Sequence, residues 1–299
     1  MKKTTDGQPS ARAAHGRAPR AGGWRVDWIA DGTWRLDGGA LYGRVPRPLW
    51  ERVTPPDALN RVELVCRALV LRSDDACILV DSGPGRAYDA KMARQLGLHA
   101  GWELAAGLDS LGISADKMNY VILTHLHFDH VGGCVRLTDS GQIVPTFPNA
   151  RHLIQRGEWD DAHADNPLTR RSYLARTLRP LADAGLISLL DGPGEVLPGV
   201  RVEVTGGHTA HHQMVVVAGA DGEMLAYPGD ILPSTAHVSL PWITAFDTFP
   251  LETVARKREL FDRAAAEGWK VMLPHDAAHA VVRLVRDEGD AWSWTDAAT

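Results

Sequence analysis

The chain reads as an α/β protein in which two sheets pack together with helices outside. Short apolar runs alternate with Gly, Pro, Asp and His punctuation from Trp24 onward, the pattern of strands that end in loops. The runs form two similar series, before and after a more polar, helical middle. With 299 residues, 44% of them hydrophobic and 23% charged, the chain can bury a sizeable core and has an ordinary globular composition.

Residues 1–23 are rich in Ala, Arg, Gly and Pro without apolar periodicity, which predicts a solvated tail before a single domain over 24–299. Lys2 and Lys3 open the chain, but Thr4 to Gly23 lacks the apolar run of a signal peptide. No segment offers the roughly 18 uninterrupted apolar residues that a membrane span requires, so a cytoplasmic location is expected. Leu64 to Leu71 and Cys77 to Val80 read as a hairpin across the polar turn Arg72 to Asp75, and Tyr120 to Leu123 as a further strand.

Arg156 to Leu186 reads as a helical insertion covering the site, with Trp159, Leu168, Tyr173, Leu174, Leu178 and Leu181 as inward positions. Val200 to Thr205, Gln213 to Ala218, Met224 to Tyr227 and Lys270 to Leu273 form the second strand series. Before the last of them, Leu251 to Glu267 is the clearest helix. Pro250 suits its first turn and Gly268 its end, while Leu251, Val254, Phe261 and Ala265 can share one buried face. The charged run Arg256 to Glu259 then reads as its solvated face.

A net charge of -5 provides no broad basic surface, which disfavours a nucleic-acid partner and favours a small-molecule substrate. Cys66, Cys77 and Cys134 lie too far apart for a disulfide framework and read as buried thiols of a reducing compartment. Cys134 follows the densest polar cluster closely enough to support it.

That cluster is Thr124-His125-Leu126-His127-Phe128-Asp129-His130-Val131-Gly132-Gly133, three imidazoles and a carboxylate within six residues. These are borderline ligands suited to zinc, although manganese, cobalt or iron could occupy the same set. Residues two apart on an extended segment project the same way, so His125 and His127 can hold one ion. Asp129 and His130 begin a turn or helix and can aim at a second position. Gly132 and Gly133 are expected to let backbone pass close to the metals.

Four ligands from one loop cannot complete two coordination spheres. His208 in Gly206-Gly207-His208-Thr209, Asp230 in Pro228-Gly229-Asp230 and His275 in Pro274-His275-Asp276 each follow a strand run, and this shared context marks them as further ligands. Asp81, in Leu79-Val80-Asp81-Ser82-Gly83, has the same setting and suits a role orienting a ligand histidine.

With these residues in this order, the chain resembles the metallo-β-lactamase superfamily, whose signature is His-x-His-x-Asp-His followed by separate His, Asp and His ligands. The resemblance spans Trp24 to Asp276 and implies an αββα sandwich of mixed sheets with the site along one edge. Carried over residue by residue, it assigns His125, His127 and His208 to one metal, Asp129, His130 and His275 to a second, and Asp230 as the bridge. His212 matches a structural histidine of the family, and His211 stands where the family usually has Gly. The stretches Asp37 to Gly43, Val45 to Trp50, Thr235 to His237 and Pro241-Trp242 to Pro250 look like those of quorum-quenching N-acyl-homoserine lactonases and methyl parathion hydrolase-type enzymes. Several such lactonases carry a Tyr three residues after the bridging Asp; here that residue is Pro233.

The resemblance implies a binuclear hydrolase whose metal-bridging hydroxide opens lactones, with Asp129 and Asp230 as catalytic groups and two zinc ions as cofactors. Esters, thioesters and phosphotriesters are alternative substrates, and iron-dependent redox chemistry is an alternative class. Trp242, Phe246 and Phe249, with Trp50 and Trp159 behind them, are candidates to receive an apolar substrate portion. A homodimer is the expected assembly on base rates.

Overall fold

The computed structural model describes residues 15–21, 23–98, 103–219, 222–289 and 291–297. Among them, the first sheet begins with β1 (His15–Ala21), β2 (Trp24–Asp37), β3 (Arg61–Arg72), β4 (Cys77–Val80) and β5 (Tyr120–Ile122). A small hairpin of β6 (Val135–Leu137) and β7 (Ile143–Pro145) stands apart, and β8 (Arg151–Gln155) and β9 (Ile187–Leu190) complete the sheet in the order β1-β2-β3-β4-β5-β8-β9. The second sheet runs in sequence order through β10 (Gly194–Leu197), β11 (Val200–Val204), β12 (Gln213–Ala218), β13 (Met224–Tyr227), β14 (Lys270–Met272), β15 (Val281–Arg286) and β16 (Trp292–Asp296). Both sheets are mixed: β4-β5-β8-β9 and β13-β14 pair in parallel, the other neighbours antiparallel.

Two-residue periodicity builds the layers. Leu69 and Leu71 of β3 meet Val215 and Val217 of β12 in the core between the sheets, where Trp24, Ile78, Tyr227 and Met272 also lie. The alternate residues Ala68 and Val70 face outward under Leu104 and Leu108 of the helix Glu103–Ser110 and Leu178 and Leu181 of the helix Ala175–Asp183. On the far side Met214 and Val216 lie under Leu260, Phe261 and Ala264 of the helix Pro250–Glu267. The result is the αββα sandwich. Strands covered on both faces read as continuous apolar runs, which is why β3 and β12 were legible. The helices are α1 (Gly38–Tyr42), α2 (Arg47–Trp50), α3 (Ala90–Gln95), α4 (Glu103–Ser110), α5 (Phe128–Val131), α6 (Arg156–His163), α7 (Ala175–Asp183) and α8 (Pro250–Glu267).

Three expectations are corrected. Of the expected tail, residues 1–14 lie outside the described residues, but His15–Ala21 pairs with β2, because backbone hydrogen bonding to an open strand edge needs no apolar pattern. The segment 156–186 is the crossover that joins the parallel neighbours β8 and β9, a connection any parallel pair requires. Within it Tyr173, Leu178 and Leu181 are buried, whereas Leu168 is exposed. On α8, capped by Gly268 at φ 67°, Leu251 is exposed and the buried face is Thr253, Lys257, Leu260, Phe261 and Ala264. Lys257 leaves the solvated run because its Nζ donates to the carbonyls of Ser239 (3.0 Å), Leu240 (3.3 Å) and Trp242 (2.7 Å). Burial pushes its pKa down to about 7.

Candidate metal centre

The strand ends at one edge of the sandwich carry the predicted cluster. β5 delivers Thr124 to His127, and α5, which follows at once, turns Asp129 and His130 toward the same hollow. β11, β13 and β14 deliver His208, Asp230 and His275. The five histidines of the predicted ligand set and Asp129 are at least nine-tenths buried, and the Asp230 side chain is 12% exposed. His125, His127 and His208 form one group able to hold a metal ion, and His130, His275 and Asp129 gather beside it.

His125, His130, His208 and His275 each have one nitrogen fixed from behind so that the other faces the hollow. His130 Nδ1 lies 2.8 Å from Asp81 Oδ2, His208 Nδ1 3.2 Å from Asp247 Oδ1, and His275 Nδ1 2.8 Å from the Val65 carbonyl. His125 Nδ1 meets Thr124 Oγ1 at 3.1 Å, leaving its Nε2 buried without a hydrogen-bond partner. The free nitrogens converge: His208 Nε2 is 3.1 Å from His127 Nδ1, and His275 Nε2 is 3.2 Å from His130 Nε2. Asp230 stands between the groups, Oδ1 at 3.0 Å from His275 Nε2 and 3.2 Å from His130 Nε2, Oδ2 at 3.4 Å from His208 Nε2. Asp129 Oδ2 lies 3.8 Å from both His130 and His275.

Burial, then the neighbouring His130, pushes the His125 pKa well below its ordinary value; burial, then His208, does the same for His127. Both are therefore neutral, the form that ligates metal. Burial also opposes charge on His130, but Asp230, Asp81 and Asp129 together hold its pKa well above the ordinary value. Converging ring nitrogens, an orphaned buried Nε2 and a shared carboxylate fit divalent cations.

The surroundings are built to hold this geometry. Asp81, at φ 55°, accepts the Thr124 N–H and hydroxyl as well as His130. Ser82 carries the Cys134 thiol, whose pKa burial raises to about 12, so Cys134 supports the Asp81 loop. His212 Nε2 accepts the Asp230 N–H at 3.2 Å, and its Nδ1 meets Thr205 Oγ1 at 2.6 Å. Arg67 donates to the carbonyls of Leu273 and Asp276 on either side of His275. Gly132 and Gly133 serve the Asp81 loop rather than the hollow: a Cβ on them would meet Pro84 O at 2.0 Å and Ser82 O at 2.1 Å. His211 needs no glycine conformation, since Asn60 and Asp81 are the non-glycine residues at positive φ among those described.

Two supporting carboxylates carried no sequence signal. Asp247 holds His208 and accepts from Thr244 N (2.6 Å), Thr244 Oγ1 and Thr253 Oγ1. Glu158, on α6, accepts from Leu126 N, Tyr173 Oη and Thr209 Oγ1. Burial raises its pKa against the pull of those donors.

A cavity of about 360 Å³ opens over the centre, with His127, Asp129, His208, Asp230 and His275 at its base. Trp34, Leu36, Leu64, Phe128 and Phe246 make an apolar wall, Pro233 adjoins it, and Asp89, Lys91 and Arg171 contribute charge. Of the aromatic candidates Phe246 alone lines this cavity. Trp242 packs edge-on against Tyr42 at 5.7 Å, and Phe249 borders a separate cavity with Leu168 and His211. Trp50 is buried and stacks on Tyr42, and Trp159 packs on the helical side of the first sheet. Trp34 and Phe128, 5.6 Å apart and edge-on, take the places foreseen for Trp242 and Phe249.

Fold and centre together define a class: an αββα sandwich whose strand ends carry a His- and Asp-rich site for divalent cations. The sequence model of the metallo-beta-lactamase superfamily matches residues 61–290, and the chain belongs to that superfamily. It is 32% identical over 110 residues to the N-acyl homoserine lactonase AiiA of Bacillus thuringiensis subsp. kurstaki, a match covering 37% of this chain and 37% of that protein. It is 27% identical over 177 residues to the N-acyl homoserine lactonase AttM of Rhizobium johnstonii, covering 56% of this chain and 62% of the relative. Among solved structures, a "probable metal-dependent hydrolase" from Staphylococcus aureus is similar at TM-score 0.83 and 25% identity, covering 93% of this chain and 99% of that one. The dizinc quorum-quenching lactonase AidC shares the fold at TM-score 0.76 and 17% identity, covering 95% and 98%. No helix among the described residues is long and apolar enough to cross a membrane.

Proposed function

We propose that this protein is a metal-dependent hydrolase that opens lactones, with N-acyl-homoserine lactones as the first class to try. The observation that carries the reading is the Asp230 carboxylate, whose two oxygens face two separate histidine groups at the base of an apolar cavity. His125, His127 and His208 would hold one zinc ion, Asp129, His130 and His275 a second, and Asp230 would touch both. Such a pair supplies water acidified to near neutrality as a nucleophile, together with Lewis acidity toward a carbonyl. Asp129, at the cavity surface, orients the attacking water and carries its proton toward the leaving oxygen. Trp34, Leu64, Phe128 and Phe246 receive the apolar part of a small-molecule substrate and exclude bulk water.

The AiiA and AttM relatives are lactonases by name, which supports the substrate class. Cleavage of esters or phosphotriesters is the second reading, since Pro233, where several lactonases carry a Tyr, removes one support for the lactone by offering no hydroxyl to its carbonyl. Proton release would be followed with the metal-replete protein on acyl-homoserine lactones of several chain lengths, simple lactones, aryl esters and phosphotriesters, with and without chelator. Chelator-sensitive opening of lactones in preference to the others is the expected result. Ester or phosphotriester cleavage without lactone turnover would transfer the conclusion to the second reading.

A further inference from the structure

Glu158 is a buried carboxylate, 1% exposed, that lies outside the ligand set. Its Oε1 accepts the Leu126 N–H at 3.0 Å and the Tyr173 hydroxyl at 3.1 Å, and its Oε2 accepts the Thr209 hydroxyl at 2.6 Å. Leu126 separates His125 from His127, and Thr209 follows His208. One side chain thus grips both chain segments that carry the first group of imidazoles, segments more than 80 residues apart in sequence. Tyr173, its third partner, also sets its ring 5.2 Å from His127. The second group has different supports, Asp81 behind His130 and the Val65 carbonyl behind His275.

No cation forms an ion pair with Glu158 among the described residues, and an ionised carboxylate makes full use of three donors. A buried anion without a salt-bridge partner is costly, and in the metal-free protein the nearby His208 imidazole offsets that cost only in part, since burial still raises the Glu158 pKa. A dication held by His125, His127 and His208 would supply a full positive charge beside it.

Taking the two-ion centre proposed above as given, we propose that Glu158 is a positioning residue selective for the first metal site. It raises that site's affinity through its charge and its grip on Leu126 and Thr209, and leaves the Asp129, His130 and His275 site to its own supports.

The test is metal binding itself, read by calorimetric titration of the metal-free protein with zinc and by the visible absorption of the cobalt form. Glu158→Gln keeps the shape and removes the charge. It should lose about 10- to 100-fold in affinity for one of two ions and leave the other unchanged. In a His127→Gln background, where the first site is already impaired, Glu158→Gln should have no effect on the remaining ion; in Asp129→Asn it should weaken that ion. Thr209→Val, which removes one donor at the surface of the cluster, should shift the same site by a smaller factor and serves if Glu158→Gln does not fold. Unchanged affinities in Glu158→Gln, or an equal loss at both sites, would overturn the inference. A wild-type protein that binds fewer than two ions would show, before any variant is compared, that the two-ion reading has failed and this inference with it.

Discussion

Asp247 and His152 show what a single buried residue can do. Asp247 holds His208 by Nδ1 and is itself held by Thr244 and Thr253. Asp247→Ala frees the ring to rotate, and metal affinity should fall about 10- to 100-fold, measurable by chelator competition. His152 of β8 is fully buried, and burial lowers its pKa from 6.5 to about 4. Between pH 6.5 and 4 the unfolded chain therefore binds more protons than the folded one. Stability contributed through this group is lost as pH falls through that window, by up to about 3 kcal/mol. Urea unfolding at pH 7 and pH 4.5 should show that loss in the native protein and a smaller one in His152→Leu. Equal losses in both would assign the acid sensitivity to other groups.

At the scale of elements, two glycines that look alike in sequence do different work. Gly268 ends α8 at φ 67°, and a Cβ there would meet nothing closer than Arg283 at 3.5 Å. Gly268→Ala should therefore cost only the backbone strain, about 1 kcal/mol, with metal binding intact. Gly132 has helical φ of -60°, so its need is for space: an added Cβ would sit 2.0 Å from the Pro84 carbonyl oxygen. Gly132→Ala must push α5 away from the Asp81 loop. It should cost about 3 kcal/mol or more and weaken the metal site, because Asp129 and His130 ride on α5. Thermal unfolding of both variants, with and without zinc, separates the two cases.

Across the whole molecule, the ligands come from β5 and α5 on one sheet and from β11, β13 and β14 on the other, so a metal bound there ties the two sheets together. An ion that binds only the folded protein should stabilise it by about 2.7 kcal/mol at a hundredfold excess over its dissociation constant. Zinc should therefore raise the unfolding temperature of the metal-free protein by roughly 5 °C or more, and a chelator should reverse the shift. A temperature indifferent to zinc would remove the ions from the folding equilibrium.

The strands β3, β12 and β13, the helix α8 and the position of every residue in the proposed ligand set were legible in the chain itself. Each is written in a short stretch: an apolar run, a Pro and a Gly at the two ends of a helix, or His and Asp at a strand end. The tertiary structure alone decided which polar groups stand behind the ligands and which aromatics face the cavity. Asp247 lies 39 residues from His208, and Glu158 reaches Leu126 across 32 and Thr209 across 51. Lys257 is buried because three carbonyls of an earlier loop meet it, and Trp34 replaces Trp242 on the cavity wall because β2 passes beside the centre. Periodicity and local motif record what a segment prefers, whereas the partners of a buried charge or ring are set by whichever distant segments the packed sheets bring against it.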